Sequence, residues 1–177
     1  MYVRNLTSAA VLVLILCSAL LAQPRCSAGS LTGTWAYTAI GWTVPAGEST
    51  AAPTTMIGIL VIDYAGKVSG PGTSTSGAPI PGTPIPAGQP LDFEMVDTSI
   101  EVNADCTGLF KYSILLKGLP VPAIGPYVDR LIVNPNQDEI WGMGVQSPIS
   151  KPMWVYTLKR ISHVPASVSW PATPDAK

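Results

Sequence analysis

The sequence predicts an all-β protein that forms a single antiparallel up-and-down β-barrel of about eight strands. Short stretches rich in β-branched and aromatic residues recur along the chain at the spacing expected of such a barrel. No stretch shows a convincing helical period. The 16 glycines and 18 prolines cluster between these stretches, where turns belong, and only 12% of the 177 residues are charged.

The N-terminus has the pattern of a secretory signal peptide, which we place at residues 1–28. Arg4 gives it a positive charge, and an apolar run follows from Ala9 to Ala22. This run is shorter than the roughly 20 residues that a membrane-spanning helix needs, and small residues end it. The sequence therefore predicts export, either out of the cell or into a secretory compartment, and a mature protein that does not enter a membrane.

Two cleavage positions fit, and they differ in what they leave of the cysteines. Cleavage after Ala28 places small residues where the peptidase reads them, and we favour it, which leaves Cys106 unpaired. Cleavage after Ala22 retains Cys26, which can then form a disulfide with Cys106 in an oxidising compartment. We therefore expect the disulfide only with the earlier cleavage.

Each predicted strand is a short apolar stretch bounded by turn residues. The strands cover 31–44, 55–64, 67–75, 91–103, 109–117, 127–134, 139–146 and 153–161. The alternation of apolar residues changes phase near Val96 and Asp97, which predicts a β-bulge at this point. Ala65–Gly66 and Asp105–Gly108 read as tight turns.

We place the barrel domain at residues 29–161. One segment interrupts the strand pattern within this domain, and a second follows it. Residues 70–90 are rich in proline and glycine and predict a long surface loop, either a solvated connection or an arm that binds a partner. Residues 162–177 contain three further prolines and predict a flexible C-terminal tail.

The opening of the first strand, Leu-Thr-Gly-Thr-Trp at 31–35, resembles the Gly-x-Trp start of lipocalins and their calycin relatives. In that family an arginine at the end of the last strand packs across the tryptophan. The resemblance implies structural roles for Gly33 and Trp35, with Arg160 as the arginine that covers the indole ring at the bottom of the barrel.

A broader likeness, over nearly all of 31–161, is to small secreted proteins with an allene-oxide-cyclase-like barrel. Its motifs are Asp-Tyr-Ala-Gly at 63–66, Asn-Ala-Asp-Cys-Thr-Gly at 103–108 and the basic strand end at 157–160. Members of that group range from cyclases and stereochemistry-guiding proteins to domains of unknown role. The resemblance therefore implies the barrel fold and suggests a step in a specialised-metabolite pathway.

Several classes of chemistry lack the residues they need. The only histidine, His163, lies beyond the last predicted strand, and no Gly-x-Ser-x-Gly motif accompanies it, which argues against a hydrolase. One histidine and at most two cysteines cannot build a zinc site of normal spacing. No phosphate-binding loop or seat for a redox cofactor appears, and a net charge of −1 without a basic patch argues against nucleic acid. We expect no metal and no cofactor.

The remaining candidates are polar and aromatic residues within strands, because a barrel of this size can enclose one small ligand. The candidate catalytic residues are Glu101, Asp129 and Arg130. A carboxyl group that points inward would have a raised pKa and could move a proton, while an arginine or a tyrosine hydroxyl could stabilise developing negative charge. The aromatic residues expected to line the pocket are Trp35, Tyr37, Tyr112, Trp141, Trp154 and Tyr156.

The sequence leaves open whether the protein is an enzyme. The leading hypothesis is a secreted barrel that holds a small apolar molecule and acts as a cofactor-free isomerase or cyclase. The alternatives are a non-catalytic extracellular binding protein and a simple ligand carrier. A barrel filled solid by large apolar residues would exclude the first and the last of these; the residues that would fill it are Leu60, Ile62, Phe93, Phe110 and Leu131. The sequence predicts neither the ligand nor the oligomeric state.

Overall fold

Eight antiparallel strands close into an up-and-down barrel in the computed structural model, which describes residues 26–80 and 83–168. Each strand pairs with its neighbours in chain order, and the last strand pairs with the first. The strands are β1 (Gly33–Pro45), β2 (Ala52–Ile62), β3 (Val68–Ser76), β4 (Leu91–Val102), β5 (Thr107–Leu116), β6 (Ile124–Val133), β7 (Glu139–Gln146) and β8 (Ser150–Ser162). The predicted fold class is confirmed.

The predicted bulge lies in β4, where the pairing with β5 shifts between Val96 and Ser99. Asp97 within it has a φ of 50°. The predicted loop at 70–90 is shorter than expected, because β3 continues through Ser76. Gly72, which lies within β3, serves close packing, since a Cβ atom there would lie 2.4 Å from the Phe93 ring. Gly88, in contrast, has a φ of +81° and open space around it, as expected of a turn glycine.

The end of the barrel where β1 begins and β8 ends is closed by an arginine and a tryptophan, and we call it the closed end. The guanidinium carbon of Arg160 lies 4.4 Å from the centroid of the Trp35 ring. Arg160 also donates hydrogen bonds to the backbone oxygens of Ser30, Thr32 and Gln137. The Trp35 indole N–H donates to the Leu31 oxygen at 2.9 Å. The contact that the calycin resemblance implies is therefore present.

Gly33 is required at the closed end on two grounds. Its φ of +143° lies outside the range that L residues readily adopt, and a Cβ atom there would lie 2.2 Å from the Ser162 oxygen. Any other residue would separate the start of β1 from the end of β8. Beside it, a short 3₁₀ helix, Ala28–Leu31, covers the barrel bottom and buries Leu31.

A disulfide between Cys26 and Cys106 joins the start of the described chain to the turn between β4 and β5. Cys26 is buried against the barrel, and 80 residues separate the two cysteines in sequence. This is the pairing that we expected with cleavage after Ala22, and it forms because the segment preceding the 3₁₀ helix brings Cys26 to this turn. The position of signal cleavage stays a prediction, since residues 1–25 lie outside the described part of the chain.

The described start of the predicted C-terminal tail is held against the barrel wall. The Thr34 hydroxyl donates to the Val164 oxygen at 3.0 Å and accepts from the Ala166 N–H at 3.2 Å. Residues 169–177 lie outside the description. Within 26–80 and 83–168, no helix has the length and apolar character needed to cross a membrane.

Candidate functional site

The barrel interior contains a cavity of about 80 Å³ near the end opposite the closed end, which we call the open end. Four connections between strands lie at this end, and their described residues are 46–51, 77–80 with 83–90, 117–123 and 147–149. The cavity is partly open to solvent, and its inner wall is apolar, formed chiefly by Met56, Phe93, Met95, Ile114 and Trp154. Five serine and threonine hydroxyl groups lie around it, from Thr43, Thr54, Ser74, Ser76 and Ser150, and two tyrosines, Tyr112 and Tyr127, line it as well. No charged side chain lines it in the described part of the chain.

The lower half of the interior is packed almost solid. A void of about 10 Å³ lies between the large apolar side chains there. The residues around this void include Leu60, Ile62, Phe110 and Leu131. Phe93, the fifth residue expected to fill the barrel, instead belongs to the wall of the upper cavity. The interior is therefore filled in one half and hollow in the other.

Asp129 lies between the two halves. It is the one charged residue that is buried in the described part of the chain, with 1% of its surface exposed. It points inward because the buried residues of β6 alternate, with Tyr127 before it and Leu131 after it. Burial raises the pKa of its carboxyl to about 7, an effect that the nearby Tyr112 hydroxyl and Trp154 indole N–H partly offset by stabilising the carboxylate. Such a group changes charge near neutral pH.

Four buried tyrosines surround this carboxyl: Tyr37, Tyr112, Tyr127 and Tyr156. Burial raises the pKa of each hydroxyl well above its usual value, and the negative charge of Asp129 raises it further. The rings pack against one another, with centroids 5.2 Å apart for Tyr112 and Tyr127 and 5.7 Å apart for Tyr37 and Tyr156. The tyrosines therefore stay protonated over the whole accessible pH range, and their hydroxyls remain able to donate hydrogen bonds.

Two glycines of β7 make room for the aromatic side chains of β8. A Cβ atom on Gly142 would lie 2.1 Å from the Tyr156 ring, and one on Gly144 would lie 2.5 Å from the Trp154 ring. Gly144 is also the cross-strand partner of Asp129. Glycine at these two inward positions thus lets the Trp154 and Tyr156 rings lie flat against the wall beside the carboxyl.

Three buried polar atoms in this layer have no hydrogen-bond partner within the described protein: Asp129 Oδ1, Trp154 Nε1 and the Tyr156 hydroxyl. The indole N–H approaches the carboxyl without reaching normal hydrogen-bond geometry. A buried polar group without a partner costs about 1–3 kcal/mol, which natural cores rarely accept without a functional reason. Trp154 also lines the cavity, so the layer, which we call the polar layer, begins directly at the cavity floor.

The polar layer contains most of the residues predicted from the sequence. Asp129, Tyr37, Tyr112, Trp154 and Tyr156 all point into the barrel. Tyr112 and Trp154 line the cavity, whereas Asp129 does not line it and lies next to these two residues. Trp35 is also inside, but it belongs to the closed end and does not line the cavity.

Three predicted site residues lie outside the barrel, which corrects their expected inward placement. Arg130 follows the inward Asp129 and Trp141 follows the inward Ile140, so strand alternation turns both outward. Glu101 follows the β4 bulge, which resets the phase, and it forms an exposed ion pair with Lys111 at 3.1 Å.

The sequence reasoning missed Tyr127, Met56 and Met95. Tyr127 and Asp129 are two residues apart on one strand, a spacing that places both on the same face and could have indicated their proximity. Within the described residues, no group of three or more His, Cys, Asp or Glu side chains is arranged to hold a metal ion.

No protein-family model matches this chain, and searches among curated proteins and among solved structures find no match either. The closed eight-stranded antiparallel barrel is consistent with a calycin-like fold. The likeness to allene-oxide-cyclase-like barrels stays a resemblance of sequence motifs.

Proposed function

We propose that this protein binds a small, largely apolar, uncharged molecule in the cavity at the open end of its barrel. The observation that carries the proposal is an apolar cavity, free of charged lining residues, whose floor is a buried polar layer with unpartnered hydrogen-bonding atoms. Apolar walls with a few convergent polar groups are typical of small-molecule sites. Because the cavity is partly open, a longer ligand can extend from it between the surrounding loops.

The chemistry of the polar layer also defines which end of the ligand is buried. Tyr112 and Trp154 present a hydroxyl and an indole N–H at the cavity floor, and the tyrosine pKa values keep the hydroxyls protonated. These groups fit a carbonyl, ether or hydroxyl oxygen on the ligand. A carboxylate would lose its hydration next to Asp129, and the apolar walls offer no interaction that offsets this loss.

A panel of ligands tested by isothermal titration calorimetry checks this proposal. We expect small uncharged ketones and alcohols to bind about tenfold more tightly than hydrocarbons of the same size, because each adds one hydrogen bond. Ser74→Phe places a ring into the cavity and should abolish binding. Thr75→Phe is the matched control, since it adds a ring at the next position of β3, whose side chain points outward.

Equal binding by the two variants would contradict the proposal, because the ligand would then lie outside the barrel. Absence of binding by every member of the panel would favour the alternative of a non-catalytic extracellular protein that binds partners through its surface. A preference for carboxylates over ketones would refute the assignment of the ligand as uncharged.

A second candidate function, a cofactor-free isomerase or cyclase, is favoured by the position of Asp129 behind Tyr112. A protonated Asp129 donates to the Tyr112 oxygen, which leaves the Tyr112 hydroxyl free to donate to a ligand oxygen at the cavity floor. When a buffer base that enters through the open end removes the α-proton of a bound ketone, this chain of hydrogen bonds stabilises the negative charge on the enolate oxygen. The conjugate acid of the same base then protonates the γ-carbon, which completes the isomerisation. The apolar walls would also hold a flexible ligand in one conformer, which lowers the entropic cost of ring closure.

The isomerisation of a small β,γ-unsaturated ketone to its conjugated isomer, followed by absorbance, tests this candidate. Tyr112→Phe removes the donor and should slow the reaction by about 100-fold. Because the protonated carboxyl is the active form, the wild-type rate at a fixed concentration of the basic form of the buffer should fall as the pH rises through about 7. Asp129→Asn keeps a donor at every pH and should flatten this profile. No conversion by the wild type, or a profile unchanged by Asp129→Asn, would argue for a carrier.

We also propose that the protein is exported and that cleavage follows Ala22. The disulfide supports both points, because disulfides persist in oxidising compartments and cleavage after Ala28 would remove Cys26. Mass spectrometry of the mature protein, with and without reductant, tests this. Gln23 as the first residue and a gain of two hydrogens on reduction are expected, whereas a mature chain that begins at Gly29 would contradict the assignment. A role in a specialised-metabolite pathway stays a prediction of the sequence resemblance.

A further inference from the structure

The outer wall of the barrel carries a continuous apolar surface across β7, β8 and β1, which we call the outer band. Its six residues are Ile40, Trp42, Trp141, Met143, Met153 and Val155, each between 44% and 63% exposed. The strand register makes them neighbours. Val155 lies between Met143 on one side and Ile40 on the other, and Met153 is paired with Trp42.

The size of the outer band is that of a protein interface. Its six side chains expose on the order of 700 Å² together, whereas the largest apolar patch on an ordinary monomer is about 300–600 Å². A standard stable interface buries about 800 Å² on each partner. Exposed Ile132, the cross-strand partner of Trp141, extends the apolar surface toward that value.

The distribution of charge separates this wall from the opposite one. On β8 the outer band lies between Lys151 and Lys159, and the outward positions between them carry no charge. The outer wall of β4 and β5 is instead occupied by charged residues, with ion pairs of 3.1 Å between Lys111 and Glu101 and 2.8 Å between Lys117 and Glu94. The six residues of the outer band carry no charge, and the exposed Arg130 lies at its β6 edge as the cross-strand partner of Met143.

The shape of this wall favours an identical partner. A groove of about 680 Å³ crosses the outside of β5 to β8; its lining is mostly apolar, with Ile132, Trp141 and Met143, and contains one charged residue, Arg130. Directly beside it, Ile40 and Trp42 project from β1. A surface that carries a groove and an apolar projection side by side can be complementary to itself, because a two-fold rotation places each projection in the groove of the other copy.

We infer that the outer band binds a second copy of this chain in a two-fold symmetric dimer, with Ile40 and Trp42 of each copy in the groove of the other. The proposal is independent of the interior site, since no residue of the outer band lines the cavity. It requires neither a ligand nor a titrating group.

Sedimentation equilibrium of the full mature chain tests the dimer. The wild type should be dimeric at micromolar concentration. Val155→Lys places a charge at the centre of the outer band and should weaken the dimer by about 100-fold or more. Leu115→Lys is the matched control, because Leu115 is an exposed apolar residue on the opposite wall, beside Glu94, and the dimer should be unchanged.

The methionines give a second measurement that does not depend on any variant folding. With ¹³C-labelled methionine methyl groups, dilution should shift the signals of Met143 and Met153 in the outer band and leave those of Met56 and Met95 in the cavity unchanged. A wild type that is monomeric throughout, or equal effects of the two lysine substitutions, would overturn the proposal. A monomer that binds phosphatidylcholine vesicles would overturn it also and assign the outer band to a lipid surface.

Discussion

The two ends of this barrel satisfy their polar groups to different degrees. At the closed end, the Trp35 indole N–H has its acceptor and the Arg160 guanidinium donates to three backbone carbonyls. Around Asp129 and Trp154, below the open end, buried polar atoms have no partner within the described protein. One end thus has the features of a structural closure, and the other those of a binding site.

This difference arises within the same strands. β8 contributes Arg160 to the closed end and Trp154 to the cavity, and β1 contributes Trp35 and Thr43 in the same way. What changes along each strand is the packing, from a void of about 10 Å³ to a cavity of about 80 Å³. We therefore expect substitutions at the closed end to act on stability and substitutions near the open end to act on ligand binding.

The largest expected effect is the loss of the disulfide at the closed end. Replacing both Cys26 and Cys106 by serine should lower the free energy of unfolding by about 4.5 kcal/mol, because the bond closes a loop of 80 residues. Urea unfolding measures it, and ligand affinity extrapolated to the folded state should not change. A loss below about 1 kcal/mol would mean that the closed end does not depend on this bond.

The next effect is the pH dependence that Asp129 imposes. Its pKa is about 7 in the folded protein and about 3.9 in the unfolded chain, so folding favours the protonated form. The stability that this form contributes is complete below pH 4, falls as the pH rises and is lost above pH 7. The difference in unfolding free energy between wild type and Asp129→Asn should therefore change by roughly 4 kcal/mol between pH 4 and pH 8, in favour of the variant at high pH.

Measuring this difference rather than the wild-type curve alone cancels the other carboxylates, which titrate in both proteins. A difference that does not vary with pH would show that Asp129 has an ordinary pKa and is not desolvated.

Two tryptophans allow a direct comparison of the ends. Trp35→Phe removes the hydrogen bond to the Leu31 oxygen and weakens the contact with Arg160, so it should cost about 3 kcal/mol of stability. Trp154→Phe removes an N–H that has no partner, so the loss should be about 1 kcal/mol. The effect on ligand affinity should be the reverse, with Trp154→Phe weakening ligand binding more than Trp35→Phe. Equal stability losses in thermal and urea unfolding would remove the distinction between the ends.

The smallest effect is expected outside the barrel. Glu101→Gln breaks an exposed ion pair with Lys111 and should change the unfolding free energy by less than about 0.5 kcal/mol. Ligand affinity and any isomerase activity should equal those of the wild type. A loss of activity would restore Glu101 as a catalytic candidate and would contradict the site described here.

The sequence predicts the barrel well because its signals are local. Strand alternation, turn residues and the phase change at Asp97 give the element order and the bulge. The candidate site depends instead on strand register and on contacts between residues that are far apart in the sequence. Glu101 points outward because the bulge resets the phase of β4 before it, whereas Asp129 points inward by the plain alternation of β6.

The shape of the cavity could not be predicted from the sequence either. It depends on how the aromatic side chains of β8 fit against Gly142 and Gly144 on another strand. The sequence suggested aromatic walls, but it could not divide the interior into a filled half and a hollow half. The disulfide depended on which cleavage position was preferred, and that choice did not involve the fold.

The methionine methyl spectrum in the presence of a small uncharged ketone tests the central claim most directly. Met56 and Met95 line the cavity, whereas Met143 and Met153 lie on the outer wall. We predict that saturating ligand shifts the signals of Met56 and Met95 and leaves those of Met143 and Met153 in place. Shifts confined to Met143 and Met153, or no shift at any of the four, would contradict a ligand site inside the open end of the barrel.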